Sequence, residues 1–397
     1  MAEVLNQEQV LVNEDTLTTM ADSVRLKLGE ETNPNAVGFT KYTPMELANK
    51  IANEMPLAKD AIPNSAKHLT GNCANRFSRG NWDWFIEQLG GEITTQGLSN
   101  CDNMFYQSNI EEILFSINCS QNPTSLSGIF SNCTNLKVLP KITAKPNTLG
   151  YMFTYCKYLR EVPEDYFDNF DWSYITNLTS GYSGNMSNMF SNCFSLRYIP
   201  VHKLQINPKS SYSYTYFSSG FENCRVLDEL VNLPVYHNTV LTSNCFSSGF
   251  KGCSRLKKLT FALNNGQPYV VDWKSQVIDL SETVGFTSSS YVSIITDYNS
   301  GITADKEVKD DATYQALKND PDWYCMYTNY SRYNHDSAVE TINSLPDTSA
   351  YLAANGGTNT IKFRGDAGSA TDGGAINTLT EAEIAVAAAK GWTVSLV

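Results

Sequence analysis

MFSNCFSLRYIP, residues 189–200, places a cysteine three positions after an aromatic, a leucine three beyond that and a proline four residues later. The phrase recurs as IFSNCTNLKVLP at 129–140, MFTYCKYLREVP at 152–163, GFENCRVLDELV at 220–231 and GFKGCSRLKKLT at 249–260. An imperfect earlier copy, MFYQSNIEEIL at 104–114, carries Ser108 in the cysteine place and is one residue short before its isoleucine. The aromatics are Phe105, Phe130, Phe153, Phe190, Phe221 and Phe250, at intervals of 25, 23, 37, 31 and 29 by subtraction. A unit of about two dozen residues with insertions in its loops is the period of a repeat array.

One such unit cannot hold itself together. A buried phenylalanine is worth roughly 1.5–3 kcal/mol, so the units are expected to stack and share a core. The expected repeat core is Phe105; Phe130, Cys133 and Leu136; Phe153, Cys156 and Leu159; Phe190, Cys193 and Leu196; Phe221, Cys224 and Leu227; and Phe250, Cys253 and Leu256. Cysteine suits an inner wall because it is small and apolar, and its weak thiol can sit against a backbone carbonyl. After each leucine, segments such as LKVLPKI and LRYIPVH alternate apolar and polar residues and read as short strands. Pro140, Pro163 and Pro200 mark their ends or bulges.

The phrase resembles the BspA-like branch of leucine-rich repeats, found on bacterial surface proteins and in the viruses that infect bacteria, over roughly residues 100–265. That resemblance implies an α/β fold: a leucine-rich-repeat-like solenoid of short strands with helices or loops, preceded by a small helical N-terminal anchor. The expected division is 1–60 for the anchor, 61–100 for an N-terminal cap, 101–285 for the repeats and 286–397 for degenerate repeats with a C-terminal cap.

Composition excludes several functions. The 397-residue chain is 42% hydrophobic and 18% charged, and its formal net charge of −12 opposes a phosphate backbone. Its densest basic cluster, RLKK at 255–258, is brief. No apolar run reaches the roughly 20 residues of a spanning helix, and the opening MAEVLNQEQVLVNEDT is unlike a secretory signal. Nucleic acid and membrane insertion are therefore not expected partners. The ten cysteines include no CxxC pair and read as buried residues of a protein folded in a reducing compartment.

Both ends have helical patterns. Leu17, Met20, Ala21, Val24 and Leu28 fall on one helix face ahead of Gly29. TPMELANKIANEM opens with Thr43 as cap, Pro44 at the first position and Glu46 completing a capping box, with Met45 and Ile51 on one side. Leu17, Met20, Val24, Met45 and Ile51 are the candidate assembly anchor. EDTLTTMADSVR at 14–25 with YTPMELA at 42–48 is similar to the opening of tailed-phage fibre and appendage proteins. Between anchor and repeats, Trp82, Trp84, Phe85 and Leu89 form a patch suited to capping the array. Near the C-terminus, 337–349 reads as a helix, 359–365 as a strand, and LTEAEIAVAAAKGWTVSLV as a Thr380/Glu383-capped helix with Ile384, Ala387 and Ala388 inward, then a strand.

Chemistry is sparse. His68, His202, His237 and His335 show no metal-ligand spacing, and GDAGSATDGG at 365–374 lacks the alternation of a calcium loop. No cofactor, metal or catalytic residue is assigned. Glu164 with Asp165, and Asp168 with Asp171, are accidental carboxylate pairs in an insertion. Tyrosines gather in SYSYTYFSSGF and WYCMYTNYSRY, making Tyr212, Tyr214, Tyr216, Tyr327 and Tyr330 candidate ligand contacts.

The resemblances together imply a non-enzymatic virion structural protein of a tailed phage, a head or tail fibre or appendage assembled in the host cytoplasm. Its helices would dock to other virion proteins or make a homo-oligomer, a dimer or trimer, and its repeats would bind a host-surface glycan or protein. Lack of a signal sequence favours this over a secreted bacterial adhesin of the same repeat family. A glycan-degrading fibre enzyme, the third expectation, needs a carboxylate pair in a groove.

Overall fold

Each repeat phrase makes a tight reversal, and two left-handed backbone positions produce it. The computed structural model describes residues 67–80, 82, 86, 91–174, 186–205, 217–235, 241, 244–281, 283, 306–307, 326–327, 333–364 and 378–397. In it the residue two before each repeat phenylalanine has positive φ: Asn103, Gly128, Tyr151, Asn188, Ser219 and Ser248. So has the residue two after: Gln107, Asn132, Tyr155, Asn192, Asn223 and Gly252. Asparagine and glycine dominate because they enter this region at least cost.

The reversals are joined to one another by their backbones. Phe105 N–H donates to Ile129 O (2.9 Å), Phe130 to Met152 O (3.1 Å), Phe153 to Met189 O (2.8 Å), Phe190 to Gly220 O (2.9 Å) and Phe221 to Gly249 O (3.0 Å). This brings the rings into one file. From Phe105 to Phe250 successive centroids lie 5.7, 5.6, 5.3, 5.9 and 6.1 Å apart, with planes within 22° of parallel. All six rings are buried, as are Leu136, Leu159, Leu196, Leu227 and Leu256.

The file begins one ring earlier than the sequence phrase does. Phe77 stacks on Phe105 at 5.2 Å, its N–H donates to Met104 O (2.7 Å), and Asn75 and Arg79 supply its two left-handed positions. Trp82 meets Phe77 edge-on at 5.5 Å and covers the end of the file.

A leucine-rich-repeat-like solenoid, with one sheet running through every unit, is not what forms. Among the described residues the strands fall into five separate sheets. The largest is β1 (His68–Asn72), β2 (Thr94–Asn100), β3 (Ile117–Ser125) and β4 (Ile142–Thr148), in that order and parallel. β5 (Glu229–Leu233) pairs in parallel with β6 (Lys258–Phe261), and β7 (Leu263–Asn264) antiparallel with β8 (Gln267–Pro268). β9 (Val277–Asp279) joins a sheet with two C-terminal strands, and β10 (Lys306–Glu307) pairs with β11 (Met326–Tyr327).

Prolines limit strand growth at three of the copies. Pro140, Pro163 and Pro200 follow their repeat leucines by four residues, and proline brings no N–H to a ladder. Beside these prolines only single bridges form, Glu112 with Val138 and Glu161 with Tyr198. Of the three copies without that proline, the last two grow into β5 and β6, while the first makes only the bridge at Glu112. The three α-helices traced among the described residues, α1 (His335–Ser344), α2 (Ser349–Asn355) and α3 (Glu381–Ala389), all come late in the chain. Among the described residues of the repeats, no α-helix alternates with the strands. The chain divides into Met1–Lys67 and His68–Val397. The second is a compact α/β unit with its helices clustered toward the C-terminus, which corrects the BspA-like leucine-rich-repeat expectation.

That helical cluster closes an open strand edge. α1 lays three hydroxyls along β6: Ser337 Oγ donates to Lys257 O (2.5 Å), Thr341 Oγ1 donates to Leu259 O (2.6 Å), and Ser344 Oγ accepts from Phe261 N–H (3.0 Å). An i, i+4, i+7 spacing puts all three on one helix face, so backbone groups that a bare edge would leave exposed find partners. β12 (Asn359–Phe363) pairs in parallel with both β9 and β13 (Trp392–Leu396). α3 has the expected capping box, with Thr380 and Glu383 satisfying each other's N–H groups, and Gly391 takes φ +83° just after it. Of its three expected inward residues only Ala387 is buried; Ile384 is half-buried and Ala388 exposed.

Phe190 lies between Phe153 and Phe221 with no room for solvent. Phe190→Ala is expected to lower the unfolding free energy by about 3–5 kcal/mol, measured by urea denaturation. A loss under about 0.5 kcal/mol, the scale of a surface change, would contradict its place in the file.

Candidate functional site

The interior of the repeats is fully used by packing, and its thiols show how. Each repeat cysteine donates its S–H to the carbonyl of the phenylalanine one turn earlier: Cys133 to Phe105 O (2.9 Å), Cys156 to Phe130 O (3.1 Å), Cys193 to Phe153 O (2.9 Å), Cys224 to Phe190 O (3.1 Å) and Cys253 to Phe221 O (2.9 Å). Burial pushes the Cys133 and Cys253 thiols up to about 12, and raises Cys156, Cys193 and Cys224 as well. A buried, protonated thiol is a structural donor and a poor nucleophile. Cys101 and Cys119 lie Sγ to Sγ at 3.5 Å, and their mutual hydrogen bond, with burial second, raises Cys101.

The outward side chains of the same turns are charged. The residue after each repeat leucine, or after Ile110 in the first copy, gives the series Glu111, Lys137, Arg160, Arg197, Asp228 and Lys257. Backbone bonds set neighbours in this series side by side, Lys137 N–H to Glu111 O (2.8 Å), Arg197 N–H to Arg160 O (2.7 Å) and Lys257 N–H to Asp228 O (2.8 Å). Lys137 Nζ pairs with Glu111 at 3.0 Å and Lys257 with Glu229 at 3.4 Å.

Two adjoining depressions open on this row and share Arg197. One, of about 290 Å³, is lined by Lys137, Tyr158, Arg160, Glu161 and Arg197. The other, of about 250 Å³, has Tyr198, His202, Asp228, Glu229 and Lys257 among its walls. The row is the feature that reading the sequence missed. Its signal was present: a charged residue stands at the same offset in all six copies.

Among the insertion carboxylates, Glu164 contacts the wall of the second depression. Glu164 accepts a hydrogen bond from Tyr198 and lies 3.0 Å from His202 Nε2. The Tyr198 hydroxyl, then the positive neighbours, hold Glu164 below its ordinary range, while Tyr198 itself is pushed up to about 12. Asp168 pairs with Lys203 at 2.9 Å. Asp171 accepts from the Ser173 hydroxyl and N–H, which lower it. A general acid for glycoside cleavage needs a raised pKa, the opposite of Glu164 and Asp171.

Other expected residues fall elsewhere. Leu17, Met20, Val24, Met45 and Ile51 lie outside the described residues, as do Tyr212, Tyr214, Tyr216, Tyr330, Trp84, Phe85, Leu89 and the 365–374 loop. Tyr327 belongs to β11, a two-residue strand. Among the described residues no group of three or more His, Cys, Asp or Glu is arranged to hold a metal ion, and no helix is long and apolar enough to cross a membrane.

A scan against protein-family models and searches of curated proteins and of solved structures returned no match. The expected tailed-phage virion fibre or appendage is corrected by the fold: His68–Val397 is a compact α/β unit, and the described residues contain no shaft or multimeric fibre core. The adhesin and fibre-enzyme alternatives assumed the same displayed solenoid and are withdrawn with it.

The thiols make stability depend on alkaline pH. Cys133 and Cys253 hold their protons more tightly folded than unfolded, from an ordinary 9.0 to about 12. Their contribution is complete below pH 9 and is lost as pH climbs toward 12. Denaturant midpoints measured from pH 8.5 to 11 should fall, and should fall less steeply in Cys133→Ala/Cys253→Ala, by at most about 1.4 kcal/mol per pH unit per thiol. Parallel pH profiles would contradict this.

Proposed function

We propose that this chain is a binding protein without a catalytic step of its own, and that its working surface is the charged row from Glu111 to Lys257. The observation that carries this reading is the partition of side chains. The repeat phenylalanines, with the cysteines of the five copies that carry one, are buried, while the positions after the repeat leucines place Lys137, Arg160, Arg197, Glu161 and Glu229 around two depressions that join at Arg197. Backbone bonds between neighbouring turns set Arg160 beside Arg197 and Asp228 beside Lys257, which suits an extended partner crossing several repeats. Shallow, polar, charge-bearing surfaces of this kind recognise a partner's pattern and speed encounter.

The carboxylates nearest the row support binding over proton transfer, since Tyr198, His202, Lys203 and Ser173 engage Glu164, Asp168 and Asp171. Panning a random peptide library on the immobilised full chain tests the proposal. Enriched peptides should lose binding to Arg197→Glu and to Glu161→Lys while both variants keep the wild-type melting temperature. Enriched peptides indifferent to both changes would place the working surface elsewhere.

A further inference from the structure

We infer that the depression between Lys137, Arg160 and Arg197 is an anion site, and that its occupant is the carboxylate-rich stretch of an acidic polypeptide; this deepens the binding role proposed above and rests on it. The depression, about 290 Å³, takes three of its five lining residues as cations and one, Glu161, as a carboxylate. Glu111 offsets Lys137 from the side at 3.0 Å, and the balance stays positive. That balance runs against the rest of the molecule. The chain as a whole carries a formal −12, so a local excess of cations in a concave place is not the background composition of its surface.

The cations are also held in position. Arg197 N–H donates to Arg160 O at 2.7 Å and Tyr158 N–H donates to Thr134 O at 3.2 Å, so the three turns that carry Lys137, Arg160 and Arg197 are locked side by side. Leu136, Leu159 and Leu196, immediately before them, are buried in the core. Two guanidinium groups on adjoining turns line the depression together with the Tyr158 phenol, and guanidinium is the cation whose planar fork matches carboxylate geometry. The second depression, where Asp228 and Glu229 stand opposite Lys257 and His202, is balanced in sign and continues the path from Arg197. An occupant would therefore be acidic where it meets Arg160 and of mixed sign beyond Arg197. A chain molecule meets that requirement, and a single small oxyanion fills only the first part of it.

Calorimetric titration of the full chain at low salt with blocked hexaglutamate, blocked hexaglutamine and inorganic phosphate tests the assignment. Hexaglutamate should bind and hexaglutamine should not. Arg160→Gln/Arg197→Gln should weaken hexaglutamate by about tenfold or more, the scale of losing charge-assisted hydrogen bonds. Lys362→Gln, which removes a cation paired with Asp279 at 3.4 Å on another sheet, should leave binding unchanged. If the double variant fails to fold, Lys137→Gln and the Arg160→Lys/Arg197→Lys pair replace it, with the first weakening binding and the second retaining part of it. No hexaglutamate binding, an equal loss in Lys362→Gln, or phosphate outcompeting the peptide at lower concentration would each overturn the inference. Panned peptides that depend on Arg197 yet lack acidic residues would overturn the anion assignment alone, whereas peptides indifferent to the row would overturn the binding surface beneath it.

Discussion

One carbonyl per repeat holds two bonds, and the packing of the turns follows from it. Phe130 O accepts the N–H of Cys133 in its own turn at 3.0 Å and the thiol of Cys156 from the next turn at 3.1 Å. Phe153, Phe190 and Phe221 do the same for their own cysteines and the ones that follow. A carbonyl has two lone pairs, so the thiol adds a link between turns without taking one away within them. The ring attached to that residue is then placed over the ring of the neighbouring turn. Where the cysteine is absent, in the first copy, Ser108 Oγ reaches Gly80 O at 3.4 Å instead.

Volume is traded along the file so that this spacing survives sequence change. The residue before the phenylalanine is Met104, Ile129, Met152 or Met189 in four copies and Gly220 or Gly249 in the last two. In those last two, the position four before the ring is filled by Phe217 and Phe246, which stack on each other at 6.1 Å. A Cβ on Gly220 would come within 3.1 Å of Phe217 O, and one on Gly249 within 3.0 Å of Phe246 O. Phenylalanine there, where the earlier copies carry Cys101, Leu126, Leu149 and Met186, offsets part of the side chain lost beside the ring. Buried charge is handled similarly: Arg225 lies 4.2 Å from the Phe194 ring centroid and is shielded by that aromatic face.

How much of this could be read beforehand depends on whether the information is local. Phe, Cys and Leu at fixed offsets were legible because each turn repeats the same inward positions, and the C-terminal capping box was legible because Thr380 and Glu383 are three residues apart. Sheet continuity was not local. It depends on whether a proline interrupts each strand, and on insertions that the period conceals, so the resemblance to a leucine-rich-repeat array misjudged the architecture. Phe77 was missed because CANRFSRG keeps the approach to the ring, with Cys73 matching Cys101, but lacks the cysteine and leucine that follow it elsewhere. The charged row was visible as a column in the aligned phrases, yet a column of mixed sign looks like an ordinary solvated face until the fold brings five of its members around two adjoining depressions. Ile384 and Ala388 were expected inward, but α3 buries a narrower stripe than its sequence offers.

The account stands on rings of adjacent turns sensing one another directly, and a double-mutant cycle measures that. For Phe153 and Phe190, whose centroids are 5.3 Å apart, single and double replacements by leucine should reveal a coupling of about 0.5–1.5 kcal/mol. Phe105 with Phe250, which have four rings of the file between them, should add within about 0.5 kcal/mol. Additive behaviour in the adjacent pair, equal to that of the distant one, would contradict a shared stack.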